Sequence, residues 1–174
     1  MPSVSIRPAT PADVPAITRI YADAVKHGTA SFELEPPDEA EMSRRMQTLV
    51  DGGYPYVVAE IGGRLAGYAY AGPYRPRPAY RFSVEDSIYI DRGAQRRGVG
   101  RVLLEFLIEE CERRGFRQMV AVIGDSAQTA SIELHRALGF RMIGAAENVG
   151  YKFDRWLDSV MMQRALGPGA TTKP

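Results

Sequence analysis

The chain has 174 residues, of which 45% are hydrophobic and 25% charged, a balance that excludes a disordered or fibrous polypeptide and suffices to bury one core. Lys and Arg total 22 against 21 Asp and Glu, a net charge of +1, so no global field draws nucleic acid or an anionic membrane and any anion recognition is local. The single Cys111 cannot form an internal disulfide, two histidines make no zinc-spaced cluster, and neither a long apolar run nor a basic-then-apolar leader occurs; a cytoplasmic protein without metal, membrane or nucleic-acid partners is expected.

In chain order, residues 5–7 read as a short strand. Thr10-Pro11-Ala12-Asp13 then supplies an N-cap, a first-turn proline and an acidic first turn for a helix with Ile17, Ile20, Tyr21 and Val25 inward. After a loop over 28–37, Asp38 can cap a second helix through Glu41, Met42, Met46 and Leu49. Two β-forming runs, 56–61 and 65–70, flank Gly62-Gly63, which suits a tight hairpin turn. Prolines 73, 76 and 78 break the pattern, and a long strand is expected over 80–90. A third helix is expected over about 98–114, with Val102, Leu103, Phe106, Leu107 and Cys111 inward and Gly115 ending it. A strand over 119–123 follows, then a helix with an Asp125/Gln128 capping box that closes on Gly139, and strands over 140–145 and 160–163. No repeat or linker divides the chain, so 1–166 is expected to be a single domain and the Gly, Pro and Thr-rich 167–174 a flexible tail.

Gln95-Arg96-Arg97-Gly98-Val99-Gly100 stands between an expected strand and an expected helix, where backbone N–H groups and the positive end of a helix dipole suit a diphosphate. A dinucleotide fold needs a third glycine, but Arg101-Val102-Leu103 follows, and a nucleotide P-loop needs Gly-Lys, which is absent. A glycine turn that merely starts a helix is the remaining alternative. The segment resembles the Gln/Arg-x-x-Gly-x-Gly/Ala motif of the GNAT superfamily of N-acetyltransferases. Val84-Glu85-Asp86-Ser87-Ile88-Tyr89-Ile90, the Leu-His-Arg-Ala-Leu-Gly-Phe run ending at Phe140, and 149–158 extend the likeness over roughly 5–166. These resemble the phosphinothricin acetyltransferase and methionine sulfoximine/sulfone acetyltransferase branch. The resemblance implies an α/β GNAT fold, with a mixed, mostly antiparallel central sheet flanked by helices. It also implies acetyl-CoA as co-substrate, a homodimer, and direct transfer in a ternary complex to the amino group of a small amino-acid-like substrate such as phosphinothricin, methionine sulfoximine or methionine sulfone.

An alkyl amine with a pKa of about 10 is unprotonated in only about one molecule in a thousand at pH 7, so a general base assists its attack. Glu85 is the candidate, because its strand runs straight into the phosphate loop; a solvated or ion-paired strand residue is the alternative. Without a bulge, Glu85, Ser87 and Tyr89 share one face of the strand, and Val84, Asp86, Ile88 and Ile90 the other. In GNAT enzymes the strand matching Ile88, Tyr89 and Ile90 bonds the pantetheine amides through its backbone. Gln95, Arg96, Arg97, Gly98, Val99 and Gly100 then hold the pyrophosphate, and Arg96 and Arg101 flank the glycines as phosphate contacts or as solvated charges. His135 stands where many GNAT enzymes carry a tyrosine that protonates the leaving thiolate; it is an acid, a substrate contact or a structural residue. Gln128 stands where the family commonly has an asparagine against the cofactor, with the helix cap as its competing role.

Arg75, Arg77 and Arg81 cluster before the Glu85 strand, and guanidinium groups suit carboxylate or phosphinate oxygens. The resemblance carries a substrate role to Arg75, Pro76 and Arg77. Glu85, Asp86 and Ser87 adjoin them, with Phe32 and Glu33 from the first long loop and Lys152, Phe153 and Trp156 from the last segment of this subunit or a neighbouring one. Cys111 falls on an apolar helix stripe and reads as a buried thiol rather than a nucleophile. Two other functions stay open: acetylation of a different amine (a polyamine, an aminoglycoside or a peptide N-terminus), and a non-catalytic acyl-CoA-binding module.

Overall fold

Strand alternation sorts the apolar residues onto the two faces of one sheet. The computed structural model, which describes residues 3–174, runs β1 (Val4–Pro8), α1 (Val14–His27), α2 (Glu39–Asp51), β2 (Tyr56–Ile61), β3 (Arg64–Pro73), β4 (Ser83–Ile90), α3 (Val99–Arg113), β5 (Gln118–Gly124), α4 (Thr129–Ala137), β6 (Arg141–Lys152) and β7 (Arg155–Ala165). The seven strands stand in the order β1-β2-β3-β4-β5-β7-β6. Every neighbouring pair is antiparallel except β4 and β5, which run parallel. This is the mixed, mostly antiparallel sheet flanked by helices expected from the sequence.

Tyr56 and Val58 of β2, with Tyr68 of β3, pack under α1 and α2 against Ile17, Tyr21, Val25 and Met46. The alternate residues Val57, Ala59 and Ala69 turn to the other face, where Leu103, Leu104 and Leu107 of α3 meet Val84, Met119 and Ala121. Local signals act as the sequence implies. The Asp38 carboxylate accepts the Glu41 N–H at 2.9 Å and caps α2. Ile61 pairs with Arg64 across Gly62 and Gly63, whose φ values of 57° and 74° are left-handed, as a two-residue hairpin of this kind requires.

Several boundaries differ from expectation. Pro78–Tyr80 winds into a 3-10 turn, so the strand expected over 80–90 begins at Ser83. The last two strands are much longer than expected and form a hairpin. Of β6 only Gly150 and Lys152 are buried, so there is little in–out alternation to read, and the turn at Phe153-Asp154 uses φ values of 53° and 56° with no glycine to announce it. In the 167–174 tail, the Arg117 guanidinium donates to the carbonyls of Gly169 (2.9 Å) and Lys173 (3.0 Å) and to the Thr172 hydroxyl (3.0 Å). Among the described residues no helix is long and apolar enough to cross a membrane.

The feature that positions the site is a parting of two strands. β4 pairs with β3 from Val84 to Ile90, but with β5 only from Ser83 to Asp86, where Asp86 faces Ala121. Beyond that point β5 continues against β7 to Gly124, and the β5 side of Ser87–Ile90 has no strand partner among the described residues.

Candidate active site

The wedge between β4 and β5 opens onto a cavity of about 510 Å³. Ile88, Tyr89 and Ile90 line one wall, and Gln95, Arg96, Gly98, Val99 and Gly100 line the end where α3 begins. Gly98 is the N-cap of α3 with φ 80°, and no side chain caps the helix, so its first N–H groups are available to a ligand. Val99, Leu103, Leu104 and Leu107 are buried and anchor that helix end in the core. Two residues of the expected cofactor set do not line this cavity: Arg97 lines a separate one with Arg19 and Arg64, and Arg101 pairs with Glu105 at 2.8 Å, one turn along α3.

A smaller cavity of about 80 Å³ adjoins the first and shares Ile88, Tyr89, Gln128, Ser131 and His135 with it. Gln128 is the N-cap residue of α4, but its side chain makes no cap hydrogen bond and instead donates to the Thr29 hydroxyl at 2.9 Å, tying the 28–37 loop to the cavity wall. The expected Asp125/Gln128 box does not form because α4 begins at Thr129, which puts Gln128 rather than Asp125 at the N-cap; the Asp125 carboxylate accepts from Arg155 at 2.9 Å instead. His135, 4% exposed, directs Nε2 at Asp86 Oδ2 (2.9 Å) and Nδ1 at the Ser131 carbonyl (2.7 Å). Burial pushes the imidazolium pKa down, but the Asp86 hydrogen bond and charge and the Ser131 carbonyl outweigh it, and the net shift is upward.

Glu85 and Asp86 leave β4 on opposite faces, as an unbulged strand dictates. Glu85, partly buried, sits on the α1/α2 side with Ser87, whose cross-strand partner is Tyr70. Burial raises the Glu85 pKa, the charge of Asp86 adds to the rise, and Arg75 opposes it. Arg75 lies on the Tyr74 ring at 5.1 Å and is the only one of the three clustered arginines that acts on Glu85. Arg81 instead stacks on Phe82 at 4.6 Å, while Pro76 and Arg77 stay exposed in the loop.

The 28–37 loop is pinned from several directions. Lys152 is buried and its ammonium donates to the Ser31 carbonyl at 2.8 Å, with a pKa lowered by desolvation. Glu33 accepts the Tyr21 hydroxyl at 2.9 Å and Arg45 at 2.6 Å. The Phe32 ring covers Gly124 and Gly150, and a Cβ at Gly150 would lie 2.5 Å from it. Thr29, Arg45, Tyr70 and Ser131 were not legible as site residues. Tyr70 follows once the β3–β4 register is known, but the Gln128–Thr29 contact joins residues 99 apart and left no local signal.

Residues 6–161 match the acetyltransferase (GNAT) domain family. The chain belongs to the GNAT acetyltransferase family. It is 56% identical over 162 residues to a phosphinothricin N-acetyltransferase of Alcaligenes faecalis, covering 93% of this chain and 82% of the relative. It is 43% identical over 167 residues to an L-methionine sulfoximine/L-methionine sulfone acetyltransferase of Pseudomonas aeruginosa, covering 95% and 96%. Its fold superposes with a TM-score of 0.96 and 50% identity on the crystal structure of a GNAT superfamily phosphinothricin acetyltransferase from Sinorhizobium meliloti in complex with AcCoA, covering 98% of this chain and 92% of that one. The chain is an acetyl-CoA-dependent N-acetyltransferase, and its own residues fit that co-substrate: a strand edge with unpaired backbone leads to an uncapped helix N-terminus at a left-handed glycine.

A Cβ at Gly98 meets nothing within 4 Å, so Gly98→Ala leaves the packing intact but disfavours the left-handed backbone by about 1–2 kcal/mol, and in the free protein the turn relaxes away from the geometry that presents the first α3 N–H groups. We expect calorimetry to show acetyl-CoA affinity falling about tenfold or more while the fold persists. Unchanged affinity would remove this turn from the binding site.

Proposed function

We propose that the enzyme acetylates the amino group of a small, anionic amino-acid analogue of the phosphinothricin or methionine sulfoximine/sulfone type, with Glu85 as general base. The observation that carries this reading is a partly buried carboxylate, Glu85, beside the point where β4 and β5 part and within the field of the exposed Arg75 guanidinium. A guanidinium there suits the acid group of the substrate while the carboxylate meets its amine. The substrates named for the Alcaligenes and Pseudomonas relatives support the same class.

In this scheme the backbone of Ser87–Ile90 and the N-terminus of α3 hold acetyl-CoA, whose thioester supplies the acetyl group. Gln128 steadies the wall beside it. Arg75, with Pro76 and Arg77 shaping its loop, orients the substrate, and Phe32 and Lys152 close the pocket from the 28–37 loop and the β6–β7 hairpin. Glu85 takes the ammonium proton, directly or through a water, so that the neutral amine can attack. Transfer is direct, because Cys111 is fully buried and its thiol is pushed up to about 12 by desolvation, which leaves no thiolate to carry an acetyl group. One acetyltransferase domain spans 1–166, and the cytoplasm, where acetyl-CoA is available, is its place of action.

Glu85 must be ionised to act, and its pKa is raised. The rate therefore falls as pH drops through a value above that of an unperturbed glutamate. We expect Glu85→Gln to lower kcat by about 10²–10⁴ and to erase that acidic limb, while acetyl-CoA still binds. Full turnover by this variant would exclude Glu85 as the base. In a CoA-release assay, phosphinothricin and methionine sulfone are expected to outrun polyamines, aminoglycosides and peptides; the reverse order would overturn the substrate class, and no release with any amine would favour a non-catalytic binding role.

A homodimer completes the proposal. β6 is an edge strand, and the β6–β7 hairpin leaves Ile143, Val149, Tyr151, Phe153 and Trp156 between 46% and 62% exposed. That is an apolar surface beside open backbone, which a second copy would cover. Sedimentation velocity is expected to show a dimer for the wild type and a monomer after Tyr151→Lys with Trp156→Lys; a monomeric wild type at micromolar concentration would contradict it.

A further inference from the structure

Asp86 and His135 form a buried pair that the transfer scheme does not use. The two residues are 7% and 4% exposed, and the Phe140 ring meets the imidazole edge-on at 4.9 Å, fixing its plane. The Ser131 carbonyl can only accept, so the 2.7 Å contact assigns a proton to Nδ1. Nε2 then faces Asp86 Oδ2 at 2.9 Å across one further proton. Both ring nitrogens are thus committed to the protein, and neither is left for an amine or a departing thiolate. Asp86 Oδ1 is buried and has no hydrogen-bond partner among the described residues, so no other donor offsets the carboxylate charge.

The groups around this pair are few. Glu85 is next to it on β4, with Tyr70 of β3 and Arg75 of the β3–β4 loop beyond Glu85. Cys111, buried on α3, lies within the field of Asp86, and the facing stretch of β5, Val120–Gly124, carries no titratable side chain. On α4, Arg136 and Glu133 pair with each other at the exposed surface. Glu85 is therefore the only other carboxylate near Asp86 that the reaction engages.

We propose that Asp86 and His135 act as one proton-sharing unit of positioning residues, in which Asp86 holds the ring as an imidazolium and the pair sets the charge felt by Glu85. His135 then exchanges no proton with the substrate, and its effect on the reaction passes through Asp86 to Glu85. This differs from an acid or a substrate contact at position 135, two of the roles the family resemblance leaves open. It rests on the reading of Glu85 as the base.

The chain has only two histidines, so His27→Gln leaves His135 as the single imidazole signal in a ¹⁵N NMR titration of the intact protein. We expect both ring nitrogens of His135 to be protonated at pH 7, and the ring to lose a proton at lower pH in Asp86→Asn. In pH profiles of kcat/KM, Asp86→Asn removes the anion beside Glu85 and is expected to move the acidic limb to lower pH. His135→Gln leaves Asp86 without its counter-charge and is expected to move that limb to higher pH, with less than a tenfold loss of kcat. A neutral His135 ring through pH 5–8, or a limb that stays in place in both variants, would overturn the proposal. So would a loss of about 10² or more in His135→Gln at all pH values, the mark of a direct acid or base. The protonation state of His135 is read without turnover, so a failure of Glu85 as base, seen as full activity in Glu85→Gln, is a separate result.

Discussion

The backbone of β4 beyond Asp86 depends on its neighbours unequally. On one side β3 follows it to Ile90, while on the other β5 leaves after Ala121 to stay with β7. Backbone N–H and C=O groups in a protein interior require partners, so a strand edge left open inside a fold is a demand for a ligand. The cavity beside Ile88–Ile90 leads to the start of α3, where the next unsatisfied donors stand. One departure from regular sheet pairing thus makes an extended slot with an anion site at its end, the shape of a pantetheine arm carrying a diphosphate.

At that parting, strand alternation sends the ionisable groups to opposite faces. Glu85 projects toward α1 and α2, among Tyr70, Ser87 and the field of Arg75. Asp86 projects toward α4 and is met by His135. A net charge of +1 says nothing about this arrangement, because the energies that matter act over a few ångströms in a partly desolvated site. The long loop before α2 is then held against the wedge by buried polar contacts, Gln128 to Thr29 and Lys152 to Ser31, which together fix the wall of the pocket.

Elements whose signals are local were legible in the sequence. The Asp38 cap, the Gly62-Gly63 hairpin and the Leu103, Leu107 and Cys111 stripe of α3 each express a short-range preference, and the family motif places Gly98 at a helix start; Leu104 and Ile108, rather than the expected Val102 and Phe106, complete the buried face of α3. The alternation of Glu85 and Asp86 was also readable, since period two is fixed by backbone geometry. What escaped was set by distant partners or lacked periodicity. β6 is exposed almost throughout, and its turn carries Phe153-Asp154 where a glycine would have marked it. Arg97 and Arg101 adjoin the glycines in sequence, yet a helix start turns neighbouring side chains in different directions. The Asp86–His135 contact spans 49 positions, and nothing in either segment alone announces it.

The central claim is that the open edge of β4 is the acetyl-CoA slot. Amide hydrogen exchange, followed residue by residue with and without acetyl-CoA, tests it most directly. Binding should add protection within Ser87–Ile90 and at the first amides of α3, while Ser83–Asp86, already paired with β5, should change little. Saturating acetyl-CoA that leaves the amides of Ser87–Ile90 as exchangeable as in the free protein would contradict the account.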